Sequence, residues 1–259
     1  MRLRAKRGPM RYAGIDEGWA RLSDDGAHLL DGAPWLGGRE TGAVVETYRL
    51  GVPVAPSKII CVGRNYRAHA EELGNAVPDR PLLFLKPPSA LLPTEGLIVH
   101  PEESQRVDFE GEVALVVGKR ARQITAEEAP QHLFGITCAN DVTARDLQRA
   151  DSQFTRGKGF DSFCPCGPWI ETDLPPLNEI NLRTEVDGEL RQHGSTSAMI
   201  FGIAFLVAYI SKIMTLEPGD LILTGTPEGV GPLGAGQVVD VTVEGVGTLR
   251  NTMSGSIVS

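Results

Sequence analysis

Residues 107–118, Val107-Asp-Phe-Glu110-Gly-Glu112-Val-Ala-Leu-Val-Val-Gly118, decide how this chain is read. The stretch alternates at its start and then becomes wholly apolar, the pattern of a strand that enters a core. Strand side chains alternate, so Glu110 and Glu112 share one face about 6–7 Å apart, and Phe109 and Val113 face the other way. Two carboxylates side by side on such a strand repel one another unless a cation sits between them. An exposed polar strand face would account for the pair equally well.

Asp141 tips that balance. It follows the apolar strand Gly135-Ile-Thr-Cys-Ala139, where the chain turns into a helix. Taken alone it reads as a helix N-cap. Three carboxylates at strand positions or strand ends nevertheless make a natural all-oxygen site for a hard cation. An octahedral Mg²⁺ with three protein ligands keeps positions for water and a chelating substrate. With no His or Cys in the set, zinc fits less well.

Working outward, Lys58-Ile-Ile-Cys-Val62 starts a buried strand and Asn65–Leu73 a short helix, followed by a strand at Pro81–Leu85. Thr125–Ala129 carries a capping-box pattern with Thr125 as N-cap and Glu128 three residues on. Val142–Ala150 reads as a helix. Asp187-Gly188 between two alternating runs marks a hairpin, and Ser197–Met214 is the longest helix candidate. Strands at Leu221–Thr224, Val238–Val243 and Gly247–Asn251 complete an α+β, β-rich pattern. Residues 1–55, rich in turn signals, read as a small N-terminal β-rich domain with strands at Met10–Gly14 and Gly42–Arg49, ahead of a main domain over 56–259.

The composition is that of an ordinary globular chain, with 41% hydrophobic and 22% charged residues. A formal charge of −8 argues against a nucleic-acid surface, and an anionic substrate would need locally concentrated positive charge. The longest apolar run, Met199–Ile210, is too short to cross a bilayer, and no secretory signal opens the chain. A cytoplasmic location is therefore expected, with Cys61, Cys138, Cys164 and Cys166 as reduced, mostly buried thiols.

Other residues carry possible chemistry. His69 and Glu72 lie three apart on a helix, so they share a face and suit a carboxylate-supported general base, or an exposed polar pair. Lys158 lies in a glycine-flanked loop where a lysine is usually solvated. Thr224-Gly-Thr-Pro-Glu-Gly229 resembles an oxyanion-binding loop but lacks the positions of a nucleotide phosphate loop. His28, His100 and His132 read as surface or structural residues, and His193 reads as part of a hairpin-to-helix loop from which it could approach the site, with a place away from it the favoured reading.

Taken in order, the segments resemble the fumarylacetoacetate hydrolase family. The matching pieces are Gly63-Arg-Asn-Tyr-Arg-Ala-His69-Ala-Glu-Glu72, Phe84-Leu-Lys86-Pro-Pro-Ser89, Val107-Asp-Phe-Glu110-Gly-Glu112 and Asn140-Asp141-Val-Thr-Ala-Arg145-Asp-Leu-Gln148. Lys158-Gly-Phe-Asp161, Met199-Ile-Phe201, Met214-Thr-Leu-Glu-Pro-Gly-Asp220 and Thr224-Gly-Thr-Pro227 follow. The resemblance implies a mixed-sheet β-roll core and a homodimer, with Mg²⁺ or Mn²⁺ on Glu110, Glu112 and Asp141. It also implies His69 with Glu72 as the base, and Lys158 stabilising an enolate. Arg145, Gln148, Thr226 and, less directly, Lys86 would bind the substrate. The short N-terminal segment is similar to the shorter bacterial members. That suggests an isomerase or decarboxylase of the 2-hydroxyhepta-2,4-diene-1,7-dioate or 5-oxopent-3-ene-1,2,5-tricarboxylate type, from aromatic catabolism. An acylpyruvate hydrolase, an oxaloacetate decarboxylase and a catalytically silent metal-bound scaffold are the alternatives.

Overall fold

A computed structural model describes residues 10–255, apart from Leu73 and Asn75. Strands dominate, in three sheets. In the largest, neighbouring strands run Glu40–Val45, Gly26–Leu30, Gly18–Ser23, Arg11–Ile15, Cys164–Glu171, Leu133–Asn140, Gly111–Val117, Leu221–Leu223, Ile59–Gly63 and Leu82–Lys86. A second sheet joins Glu189–Ser195, Asn181–Val186, Val238–Val243, Gly247–Met253 and Leu97–Ile98. The third holds Val107–Phe109 between Thr143–Ala144 and Gly231–Pro232. Parallel pairing of Leu221–Leu223 with Ile59–Gly63 among antiparallel neighbours makes the large sheet mixed, as an α+β reading requires.

The apolar run after Glu112 is explained by burial on both faces. Val113, Leu115 and Val117 enter one hydrophobic cluster and Ala114 and Val116 another, so every position of Gly111–Val117 is buried. The helix Ile203–Ile213 buries Ile203, Val207 and Ile210 against the first cluster at one helical face.

The deciding stretch is not one strand. It breaks at Glu110, because the two successive backbone N–H groups there are taken by side chains rather than by ladder carbonyls. Glu110 N donates to Asn140 Oδ1 (2.9 Å) and Gly111 N to Gln192 Oε1 (3.0 Å), while Asp141 N donates to Glu110 O (2.8 Å). Val107–Phe109 therefore leaves for the small sheet, and Gly111–Val117 begins the large one. Glycine suits residue 111, since a Cβ there would displace the buried Thr184 hydroxyl.

Other elements also differ from the expectation. One half of the capping box forms, with Thr125 N donating to Glu128 Oε2 at 2.8 Å, but the turn leads only into a 3₁₀ segment, Ala129–His132, whose N-cap is Glu128. The long helix begins at Ile203 instead of Ser197, because Asn65 captures the preceding backbone. Its Oδ1 accepts from Phe201 N (2.9 Å), its carbonyl accepts from Ile200 N (2.7 Å), and its Nδ2 donates to Phe201 O and Thr224 O. The Asn65–Leu73 helix spans Arg67–Glu72, with Leu73 outside the described residues. His193 lies on the second hairpin strand, facing solvent, rather than in a loop.

Residues 1–9 and 256–259, within the expected terminal regions, also lie outside the described residues. The N-terminal strands carry a small cluster of their own (Ala13, Ile15, Ala20, Ala27), and Arg11–Ile15 pairs directly with Cys164–Glu171. All four cysteines are buried free thiols. No helix among the described residues is long and apolar enough to cross a membrane.

Candidate active site and metal centre

One cavity of about 340 Å³ gathers most of the residues singled out above: His69, Glu110, Glu112, Asp141, Arg145, Gln148, Lys158 and Thr226. They arrive from separate elements. Glu110 sits at the strand break, Glu112 at the start of Gly111–Val117, and Asp141 just after Leu133–Asn140. Register brings them together, since Gly111 pairs with Asn140 and Glu112 with Ala139. Each of the three carboxylates offers an oxygen within 4.8 Å of the others, and all are buried.

The charges are tightly interlocked. Lys158 Nζ donates to Glu110 Oε2 (2.8 Å) and Asp141 Oδ2 (2.6 Å). Arg145 donates from Nε to Asp108 Oδ2 (2.8 Å), from Nη1 to Gln148 Oε1 (2.7 Å) and from Nη2 to Glu110 Oε1 (2.6 Å). Lys158 is thus not a solvated loop lysine: it closes a short helix, Thr155–Lys158, and is 2% exposed. Burial disfavours its charge, but Asp141 and Glu110 outweigh that and raise its pKa. Burial likewise pushes the Glu110 carboxyl up, yet Lys158, Arg145 and His69 hold it well below the usual carboxylate range.

Glu112 is the exception. Burial, then Asp141 and Glu110, push its carboxyl well above the usual range, opposed by a hydrogen bond from Gly225 N to Oε2 (2.6 Å). A carboxylate so placed lacks a positive partner of its own. A hard divalent cation among Glu110, Glu112 and Asp141 would supply one, so the donor set and its charge deficit both fit a metal site.

Lys86 and Glu72 stand apart from the cavity lining. Lys86 lies behind it, 1% exposed, donating to Asp141 Oδ1 (2.5 Å) and Val142 O (3.0 Å). Lys86 and Lys158 therefore each hold one oxygen of Asp141. Glu72 accepts from Gly229 N through both oxygens (3.1 Å each) and stands 3.7 Å from His69 Nδ1, beyond hydrogen-bond reach. His69 Nδ1 is buried without a partner, and burial lowers the ring's pKa, keeping it neutral near pH 7. The loop Thr224–Gly229 does bind anions, but they are the protein's own: Glu112 through Gly225 N, and Glu72 through Gly229 N.

Several contributors escaped sequence reasoning. Gln192 accepts from Gly111 N and donates to Thr226 Oγ1 (2.7 Å) and Pro227 O (2.8 Å), tying the hairpin to the site. Its alternation with exposed Arg191 and His193 was the available signal. Arg64 and Arg149 line the cavity and form no ion pair among the described residues. Arg149 could have been found at i+4 from Arg145, and on the side of Gln148.

A buried acid trio, two interlocked cations and a neutral imidazole in one sheet-bound cavity define a metal-fitting enzyme pocket of the α+β class. Residues 58–254 match the family described as Fumarylacetoacetate (FAA) hydrolase C-terminal. The chain belongs to the fumarylacetoacetate hydrolase family and is an enzyme of it. It is 47% identical over 197 residues to the mitochondrial oxaloacetate decarboxylase of Dictyostelium discoideum, covering 74% of this chain and 90% of that one. With the oxaloacetate tautomerase of Bacillus subtilis it shares 42% over 212 residues, or 77% of this chain and 70% of the other. The solved structure of 2-hydroxyhepta-2,4-diene-1,7-dioate isomerase from Mycobacterium marinum superposes with a TM-score of 0.85 at 40% identity, covering 95% and 98% of the two chains.

Proposed function

We propose that this chain is a Mg²⁺- or Mn²⁺-dependent isomerase that moves a proton between oxo and enol forms of a small 2-oxo diacid. The observation that carries this reading is the meeting of the acid trio and a buried neutral His69 in one cavity. Glu110, Glu112 and Asp141 would hold the cation, which when bound polarises a 2-oxo oxygen and neutralises enolate charge.

The remaining work falls to the chain's own groups. With Nδ1 turned toward Glu72, His69 presents Nε2 as the atom that takes and returns the proton. Closing the 3.7 Å gap to a hydrogen bond would let Glu72 support the charged ring. Lys158 stays protonated beside Glu110 and Asp141 and adds fixed positive charge where the enolate develops. Gln148 and Thr226 offer polar contacts at the wall, while Arg145 orients Gln148 and Glu110.

The isomerase neighbour, matched over 95% of this chain, supports a hydroxyheptadienedioate-type substrate, and the tautomerase and decarboxylase relatives favour oxaloacetate as the second reading. Decarboxylation would use the same stabilised enolate without a proton acceptor. The test is an ultraviolet assay of purified protein with Mg²⁺ or with EDTA. The substrates are a hydroxymuconate-type diacid, oxaloacetate and acetylpyruvate. EDTA-sensitive loss of the diacid's enol absorbance without CO₂ release is the expected result. Turnover of acetylpyruvate alone would replace this reading with hydrolysis.

A further inference from the structure

We infer that Arg149 anchors a second carboxylate of the substrate and so makes the site selective for 2-oxo dicarboxylates over 2-oxo monocarboxylates. The inference rests on the reading of the cavity as a metal-dependent 2-oxo acid site.

Charge balance is the first argument. Glu110, Glu112, Asp141 and Asp108 face Lys86, Lys158, Arg145 and Arg106 in one connected set, four negative groups against four positive ones. A divalent cation adds two positive charges, and the unpaired Arg64 and Arg149 at the rim add two more, so a 2-oxo acid held through one carboxylate leaves the site positive. A second carboxylate meets part of that excess at the rim.

The second argument is which cation is free to meet it. Each guanidinium nitrogen of Arg145 already donates, to Asp108, Gln148 and Glu110, and Lys158 is shared by Glu110 and Asp141. Lys86 lies behind Asp141. Two lining cations form no ion pair among the described residues, half-buried Arg64 and exposed Arg149. Arg149 is on the helix Arg145–Ala150, four residues after Arg145 and next to Gln148, which places it on the wall that already carries a polar substrate contact. The nearby carboxylate that could quench it, Asp151, is already held by Arg156 through two hydrogen bonds of 2.6 and 2.8 Å. Phe154, packed edge-on to Phe84 at 5.5 Å, gives the same rim an apolar wall for a short carbon chain.

The test uses two unreactive 2-oxo acids that differ only in the distal carboxylate, 2-oxoglutarate and 2-oxopentanoate. Each is titrated calorimetrically into the Mn²⁺-loaded full chain. The wild type is expected to bind the diacid about 5- to 20-fold more tightly, as a charge-assisted hydrogen bond at a partly open rim allows. Arg149→Ala should bring that ratio close to one with Mn²⁺ affinity and Tm unchanged, and Arg64→Ala should keep it. A preference that persists in Arg149→Ala, one that vanishes only in Arg64→Ala, or no preference in the wild type overturns the assignment. Absence of binding by both acids does the same. A preference abolished by Arg149→Ala in a protein that turns over none of the assay substrates upholds the anchor and removes the reaction reading instead.

Discussion

Replacing Lys86 by methionine tests whether the acid trio is held by a charge outside the cavity. The change keeps the stem's volume but removes the ammonium that donates to Asp141 Oδ1 (2.5 Å) and Val142 O (3.0 Å), with the lysine side chain fully buried. Removing one partner of a buried pair costs about 3–5 kcal/mol when the other charge is left alone. Asp141 keeps Lys158 at Oδ2 (2.6 Å), so the lower end applies, about 3 kcal/mol. For a chain of this length that lowers the metal-free Tm by about 6–12 °C. A cation bound at the trio stands in for part of the lost charge, so Mn²⁺ should raise Tm more in the variant than in the wild type. Thermal unfolding with EDTA and with Mn²⁺ reads both effects. A metal-free Tm within about 2 °C of the wild type would refute the argument that Lys86 neutralises Asp141 from behind.

Other outcomes follow from the same geometry. Glu112→Ala should abolish Mn²⁺ binding, measured by calorimetry, together with turnover; full activity in that variant would sink the metal assignment. The rate should depend on a neutral His69 whose pKa burial holds below 6.5. Hence kcat/KM should stay level from pH 7 to 8 and fall at lower pH, with an acid-side inflection under 6.5 that His69→Gln removes along with about a hundredfold or more of kcat. An inflection above pH 7 would assign the base elsewhere. Asp220→Ala should destabilise the whole domain, because this fully buried carboxylate accepts from the backbone of Ser57 (3.1 Å), Lys58 (3.2 Å) and Glu217 (2.8 Å) and pairs with the Lys58 ammonium. The expected loss is about 4 kcal/mol in urea unfolding, and a loss below about 1 kcal/mol would contradict that bonding.

Much of this molecule was legible in one dimension because it depends on local rules. Alternation placed a hairpin over Leu182–Val186 and Glu189–Gln192, which the structure extends to Asn181–Val186 and Glu189–Ser195, and Asp187-Gly188 supplied the left-handed turn at φ of 51° and 80°. The apolar run Val113–Val117 announced a strand entering the core, which the structure buries on both faces. The spacing of Glu110, Glu112 and Asp141 identified an acid trio that the sheet register then gathered within 4.8 Å.

Tertiary structure decided the rest, where partners distant in sequence compete with local pattern. Asn140 and Gln192 break the strand at Glu110, and Asn65 delays the start of the long helix to Ile203. No spacing rule distinguishes Lys86, sealed behind Asp141, from Lys158, which reaches the cavity, or shows that Arg145 is committed while Arg149 is free. A side chain's charge is written in the sequence, but its availability depends on which opposite charges the fold brings beside it, and that is set by long-range packing.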